Sequence, residues 1–371
     1  MNGRERLLTA ISCRVPDRVP ISTYELVGYN SGAFENNDIT YKRLMDMIRE
    51  KTDCVCMWDL NSNHVAAQSS YPSTVSSHEK RGGDYTDTLY SLYTPKGELK
   101  SARRVYNNVH TSWEYEHWCK SLDDIDKFLS IPYVPVEYDD SDYSRIHGEV
   151  KDSGIIMASI SDPGYLCISL MEFGEAMVWA MTETNHFSKA VEEMHYRNMI
   201  NLENMLKTRK IDIYRIYGPE VMTPPYLPPS FFSRFVAPYV KEMTELIHNY
   251  GGLVRIHSHG KIDKVLDDIL SCGADALDPC EGPPDGDTAL SELKERTKGQ
   301  ICLFGNLQLK LLEYGSPEEI RNTVRQCMDD AKEGGGFVIM PTAAPINTPL
   351  SRKTEENYHI FIDTALEYGK Y

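Results

Sequence analysis

From residue 150 onward the chain repeats one pattern: a short apolar, β-branched run, a loop, then an amphipathic stretch. The runs are "GIIMASI" (154–160), "IDIYRIYG" (211–218), "GLVRIH" (252–257), "ADALDP" (274–279), "ICLFGN" (301–306) and "GFVIMP" (336–341). Apolar runs this short, bounded by Gly, Pro and Asp, predict buried strands. Between them lie helical patterns such as "PSFFSRFVAPYVKEMTELIHNYGG" and "SPEEIRNTVRQCMDDAKEGGG". The second opens on Ser-Pro-Glu-Glu and closes on glycines, a helix start and stop. Upstream, "DRVPIS" (17–22) and "DCVCMW" (53–58) predict two more strands, with the helix "NDITYKRLMDMIREKT" between them. Eight strands alternating with helices predict a parallel sheet closed into a (β/α)₈ TIM barrel. The alternative, an open doubly wound sheet, lacks a GxGxxG after any strand.

The rhythm breaks between residues 80 and 120. There "DYTDTLYSLYTPKGELKSARRVYNN" alternates polar and apolar around Pro95-Lys96-Gly97, which predicts an antiparallel β-hairpin inserted after the second barrel strand. No internal repeat or low-complexity tract interrupts the rest. The 371 residues are expected to form one barrel domain carrying that insertion.

Charge and composition narrow the function. A formal net charge of -16 excludes nucleic acid as the main partner and gives no reason for an anionic membrane to attract the chain. No apolar run approaches the roughly 20 residues of a membrane span, and "MNGRERLLTAISCRVPDRVP" lacks the apolar core of a secretion signal. A cytoplasmic protein is expected. Its nine cysteines form no CxxC pair, so reduced, mostly buried thiols are expected.

Barrel enzymes place their chemistry at the C-terminal ends of the strands. The polar residues there are Asp59, Ser161 with Asp162, Glu220, His257 with His259, Cys280 with Glu281, Asn306 and Thr342. His257 and His259 in "VRIHSHGKID" are the sharpest pair, because positions i and i+2 of a strand face one side. Gly260 is expected to relieve crowding at the following turn. Two imidazoles with a carboxylate or thiolate form a common shell for zinc or another divalent ion; Glu220, Cys280 or Glu281 could complete it. Glu281 and Asp59 are candidate acid/base groups, and Ser161, Asn306 and Thr342 candidate substrate-binding residues. The bland alternatives are a hydrogen-bonded or solvated histidine pair, loop carboxylates capping backbone amides, and a rigid Pro-rich turn around Asp285 and Asp287.

The segments "RERLLTAISCRVPDRVP", "FVAPYVKEMTELIHNYGGLVRIHSHGKI", "LFGN" and "GGGFVIMPTAAPINTP" resemble the uroporphyrinogen decarboxylase superfamily, most strongly over residues 235–349. The resemblance implies a (β/α)₈ barrel and either of two activities, decarboxylation of a carboxylated ring compound or zinc-dependent methyl transfer between a corrinoid protein and a thiol. The decarboxylases carry an arginine-rich loop after the first strand, where this chain has "STYELVGYNSGAF", and a histidine near the last strand, where it has "PTAAPI". Asp59 in "MWDLN" matches their acidic residue. The methyltransferases carry His-x-Cys-Gly after the fifth strand and a distant cysteine after the eighth. Here the first motif is His257-Ser258-His259-Gly260, and the second cysteine falls at about Ala343.

The resemblance therefore implies a metal-dependent methyltransferase, with a divalent metal (Zn²⁺ foremost) on His257, His259 and a third ligand. A small-molecule substrate, a docking corrinoid protein and a homodimer are the implied partners. Decarboxylation, with a histidine as imidazolium, is the alternative reading, and a non-catalytic binding subunit the second.

Overall fold

The computed structural model describes all residues 1–371. Its centre is a curled parallel sheet of seven strands: Cys54–Met57, Gly154–Ser161, Ile213–Tyr217, Leu253–His257, Ala276–Asp278, Cys302–Leu307 and Phe337–Pro341. Each pairs only with its neighbours in chain order. The expected first strand, 17–22, shrinks to one parallel bridge between Ile21 and Ile339. Pro16 and Pro20 lack the N–H that a longer ladder needs. The bridge still closes the barrel. Asp53 N donates to Ile21 O at 2.8 Å, Ile339 N to Pro20 O at 3.0 Å, and Ser22 N to Ile339 O at 3.0 Å. The architecture is thus a TIM-type barrel with a minimal first strand.

The seam is braced by charge. Buried Asp53 accepts from Arg6 Nη1 at 2.5 Å, Arg18 Nη1 at 2.8 Å and Ile21 N at 2.9 Å. Arg6 belongs to the helix Gly3–Ile11, whose start is fixed by a reciprocal capping box between Asn2 and Glu5. That helix plugs the bottom of the barrel. Leu7, Ala10 and Ile11 pack with Val55, Ile155, Met157, Ile213, Phe304 and Met340 in a separate interior cluster.

The outer helices follow the sequence pattern with local changes. Pro317–Ala331 begins at a Ser316–Glu319 capping box. The expected single helix over 229–252 is two, Pro229–Phe235 and Ala237–Asn249, broken at Val236. Pro238 lacks the N–H that would continue the ladder. The hairpin expected at 80–120 lies within a larger antiparallel sheet of four strands, Val75–Arg81, Tyr85–Thr94, Gly97–Tyr106 and Trp113–Glu116. Thr94 pairs with Gly97 across the Pro95-Lys96 turn. No helix is long and apolar enough to cross a membrane.

All nine cysteines are free thiols, eight of them buried and Cys13 half-buried. A maleimide applied to the native protein is therefore expected to label Cys13 at most. Mass spectrometry after unfolding should then show nine adducts, and rapid native labelling at any other position would contradict the packing described.

Candidate active site

Period-two alternation along the strands sorts the interior into layers. Ile213, Arg215 and Tyr217 face one way on their strand. Leu253, Arg255 and His257 do so on the next, in register with them, and Ala276 and Asp278 stand opposite Arg255 and His257. The lower layer is apolar and the upper one charged. Pro279 ends the third of these strands immediately after Asp278, leaving the carboxylate at the rim of the bore.

His257 and Asp278 are both buried, with His257 Nδ1 2.8 Å from Asp278 Oδ2. Arg255 Nε lies 3.0 Å from the other carboxylate oxygen. Burial pushes His257 down to about 4, against the opposing pull of Asp278. Burial alone would raise Asp278, but Arg255 and His257 beside it hold its carboxyl well below the usual range. The consistent state is an Asp278 anion balanced by Arg255, with a neutral His257 donating Nδ1–H to it. Nε2 of His257 is then a free lone pair.

His259 repeats the arrangement at the surface. Its Nδ1 is 3.2 Å from Glu281 Oε2, which also accepts from Gly260 N at 2.8 Å. Burial would lower His259, but the Glu281 hydrogen bond and the charges of Glu281 and Glu220 outweigh it, so its pKa rises. The two imidazoles meet edge to face, with centroids 4.6 Å apart and planes at 88°. Gly260 has φ +79° and no atom within 4 Å of a Cβ built there. The left-handed backbone, not the crowding expected from sequence, is what favours glycine.

Glu220 sits in the short turn Pro219–Met222, its Oε2 accepting from Gly218 N at 3.1 Å. Gly218 has φ +108°, and a Cβ there would come within 2.4 Å of Asp162 Oδ2 and Tyr165 Cβ. Glycine is required for the turn to carry Glu220 past those residues. Burial raises the pKa of Glu220, with His259 among the charges acting against it. Asp59 is solvent-exposed at the rim, its Oδ1 accepting from Ser159 N at 2.7 Å, and enclosure by the surrounding walls raises its pKa.

The other nominated residues are engaged elsewhere. Cys280 is fully buried, at φ +55°, and its Sγ contacts Leu277 O at 3.5 Å. The thiol is turned into the barrel wall, and burial holds its pKa well above the ordinary value. Asn306 donates to Cys280 O at 3.0 Å, and its Oδ1 lies 3.3 Å from Cys327 Sγ, so it ties a loop to a helix. Buried Thr342 donates to Gln308 Oε1 at 3.2 Å, and buried Ser161 to Asp162 O at 3.3 Å. Glu281 braces His259 rather than standing free as an acid. Three residues that the sequence reading passed over belong to the site: Asp278, Arg255 and Arg215. Arg215 Nη2 donates to Tyr24 Oη at 2.9 Å. The signal for Arg255 and Arg215 was the step of two back from His257 and Tyr217 along each strand, whereas Asp278 stands opposite His257 on the neighbouring strand.

The family model for uroporphyrinogen decarboxylase (URO-D) matches residues 143–368, more than half of the chain. The chain belongs to that family. No curated protein sequence matches it. Among solved structures, a methyltransferase from Methanosarcina mazei superposes with TM-score 0.62 at 14% identity, covering 99% of each chain. At that identity the likeness establishes a shared fold. A xylose isomerase-like TIM barrel protein from Mycobacterium smegmatis aligns at TM-score 0.30 and 11% identity, over 68% of this chain and 89% of that one. The barrel is thus a URO-D-family fold with its polar site at the C-terminal mouth.

No three His, Cys, Asp or Glu side chains are already grouped around a point where a metal ion would sit. The donor chemistry nevertheless suits one. Each imidazole is braced at Nδ1 by a carboxylate, the arrangement that fixes tautomer and ring plane in metal-binding histidines. Glu220 is the acid next to His259 whose carboxylate has a single partner of its own. Because Cys280 faces the core, Cys280→Ser is expected to leave whatever zinc the protein takes up unchanged by elemental analysis; a fall specific to this variant would place the thiol among the ligands.

Proposed function

We propose that this URO-D-family protein is a metal-dependent methyltransferase in which His257 and His259 hold a divalent ion at the barrel mouth, with Glu220 as third ligand. The methyl group would pass between a small molecule and a corrinoid protein docked over the mouth. One observation carries the reading: two carboxylate-braced imidazoles stand side by side with both Nε2 atoms free. Bound there, the metal would act as a Lewis acid that lowers the pKa of a coordinated nucleophile.

The chain's own groups have separable tasks. Asp278 and Glu281 orient the rings and keep Nδ1 protonated. Arg255 neutralises Asp278, and Arg215 would supply positive charge beneath the mouth, where a low dielectric makes it effective. Asp59, exposed and with a raised pKa, would take up or deliver a proton at the rim. The missing arginine-rich loop disfavours a polycarboxylated porphyrinogen as substrate.

The test is zinc-loaded protein incubated with methylcobalamin and a panel of thiols. Loss of the methylcobalamin absorbance with formation of a methyl thioether is expected, absent without metal. Failure with every thiol, together with turnover of a carboxylated ring compound by metal-free protein, would favour decarboxylation instead.

A further inference from the structure

A cavity of about 650 Å³ lies away from the barrel mouth. It sits between the inserted sheet and the barrel, at the volume typical of small-molecule sites. From the sheet, Tyr90 and Leu92 share a face with Ser101 and Arg103 of the neighbouring strand. From the barrel side come Leu166 and Met194. Leu166 directly follows Tyr165, whose ring is 5.6 Å from that of Tyr217 in the active-site layer. The cavity and the mouth are therefore separated by one short helix, Pro163–Ile168.

One wall is a turn in an unfavourable conformation. Ala67 and Gln68 have φ +52° and +53°, and neither is glycine. Buried Arg197 donates to Ala67 O at 2.9 Å, and buried Asn201 to Gln68 O at 2.8 Å. Two interior polar side chains are thus committed to holding a strained turn against the cavity. Strain of this kind persists where surrounding structure enforces it, and it concentrates at ligand-binding sites.

The charges select the ligand. The Arg103 guanidinium lies 5.2 Å from the centre of the Tyr90 ring, and neither a hydrogen bond nor an ion pair engages its side chain. Glu114 stands opposite Arg103 in the strand register, yet its carboxylate is 3.9 Å from His117 Nδ1 instead. Tyr90 and Trp118 line the same space with centroids 6.2 Å apart. A chamber of mixed polar and apolar lining, with two aromatic walls and a guanidinium that no hydrogen bond or ion pair engages, suits a flat ring bearing a carboxylate, even with Glu114 on the same wall.

We propose that this cavity is a binding site for a small aromatic carboxylate, its ring against Tyr90 and Trp118 and its carboxylate on Arg103. The site does not depend on the metal assignment at the mouth. Isothermal titration with 2-naphthoate tests it on the full chain. A Kd of about 100 µM or tighter is expected, with neutral 2-naphthylmethanol at least about tenfold weaker. Arg103 is exposed, so Arg103→Gln should fold normally; it should weaken naphthoate by about tenfold or more while leaving naphthylmethanol unchanged, and Arg103→Lys should recover part of the loss. Undetectable naphthoate binding, binding indifferent to Arg103→Gln, or preference for a naphthyl-trimethylammonium cation directed by Glu114 would each overturn the proposal.

Discussion

Asp278→Asn is expected to lower the unfolding free energy by about 3–5 kcal/mol, because it leaves a buried guanidinium without its anion. Arg255 is 2% exposed and Asp278 fully buried, so water cannot replace the lost charge. The same substitution replaces the anion that holds the His257 tautomer, 2.8 Å from its Nδ1, with a neutral amide that can present either its oxygen or its NH2 to the ring. Loss of such an outer partner weakens metal binding by about 10–100-fold. Urea unfolding of the metal-free protein measures the first effect, and competition with a zinc chelator the second. A variant as stable as wild type would show that Arg255 and Asp278 do not depend on each other.

His259→Ala separates binding from folding. Its side chain is 36% exposed and has only Glu281 as a polar partner, so stability without metal should change by about 0.5 kcal/mol or less. Zinc affinity should fall by more than about 100-fold, beyond the effect of losing an outer-shell partner. The direct readout is the rise in melting temperature on adding zinc, since a ligand bound only by the folded state stabilises it. Wild type should show the rise and His259→Ala should not. Equal rises in both proteins would remove His259 from the ligand set.

The barrel was legible because alternating apolar runs and amphipathic helices carry its two periods openly. The first strand was overstated, since Pro16 and Pro20 permit only one bridge at Ile21. The antiparallel pairing of Tyr85–Thr94 with Gly97–Tyr106 has a signal in its Pro95-Lys96 turn, while the outer strands Val75–Arg81 and Trp113–Glu116 have no buried positions to give an alternating one.

In the site, His257 ends its strand and His259 lies in the loop beyond it, so the 4.6 Å approach of the two rings depends on the path of that loop and not on strand alternation alone. Of their carboxylates, Glu281 was visible as an acid in the next loop, but its hydrogen bond to Gly260 N is a tertiary fact. Asp278 falls within the run 274–279, but nothing in the sequence marks it as a site residue, although it is the last interior residue of its strand. Arg215 and Arg255 hid inside runs that otherwise look like plain core. Cys280 illustrates the opposite error, because its left-handed backbone directs the thiol inward and sequence position does not reveal that. The cavity under the inserted sheet had no sequence signal, since its lining comes from distant segments.

X-ray absorption at the zinc edge of the zinc-loaded protein bears most directly on the twin-imidazole site. Nitrogen and oxygen neighbours at about 2.0–2.1 Å, with the outer-shell scattering of two imidazole rings and no sulfur, are expected. A sulfur shell at about 2.3 Å, a single imidazole, or failure of the protein to retain zinc would contradict it.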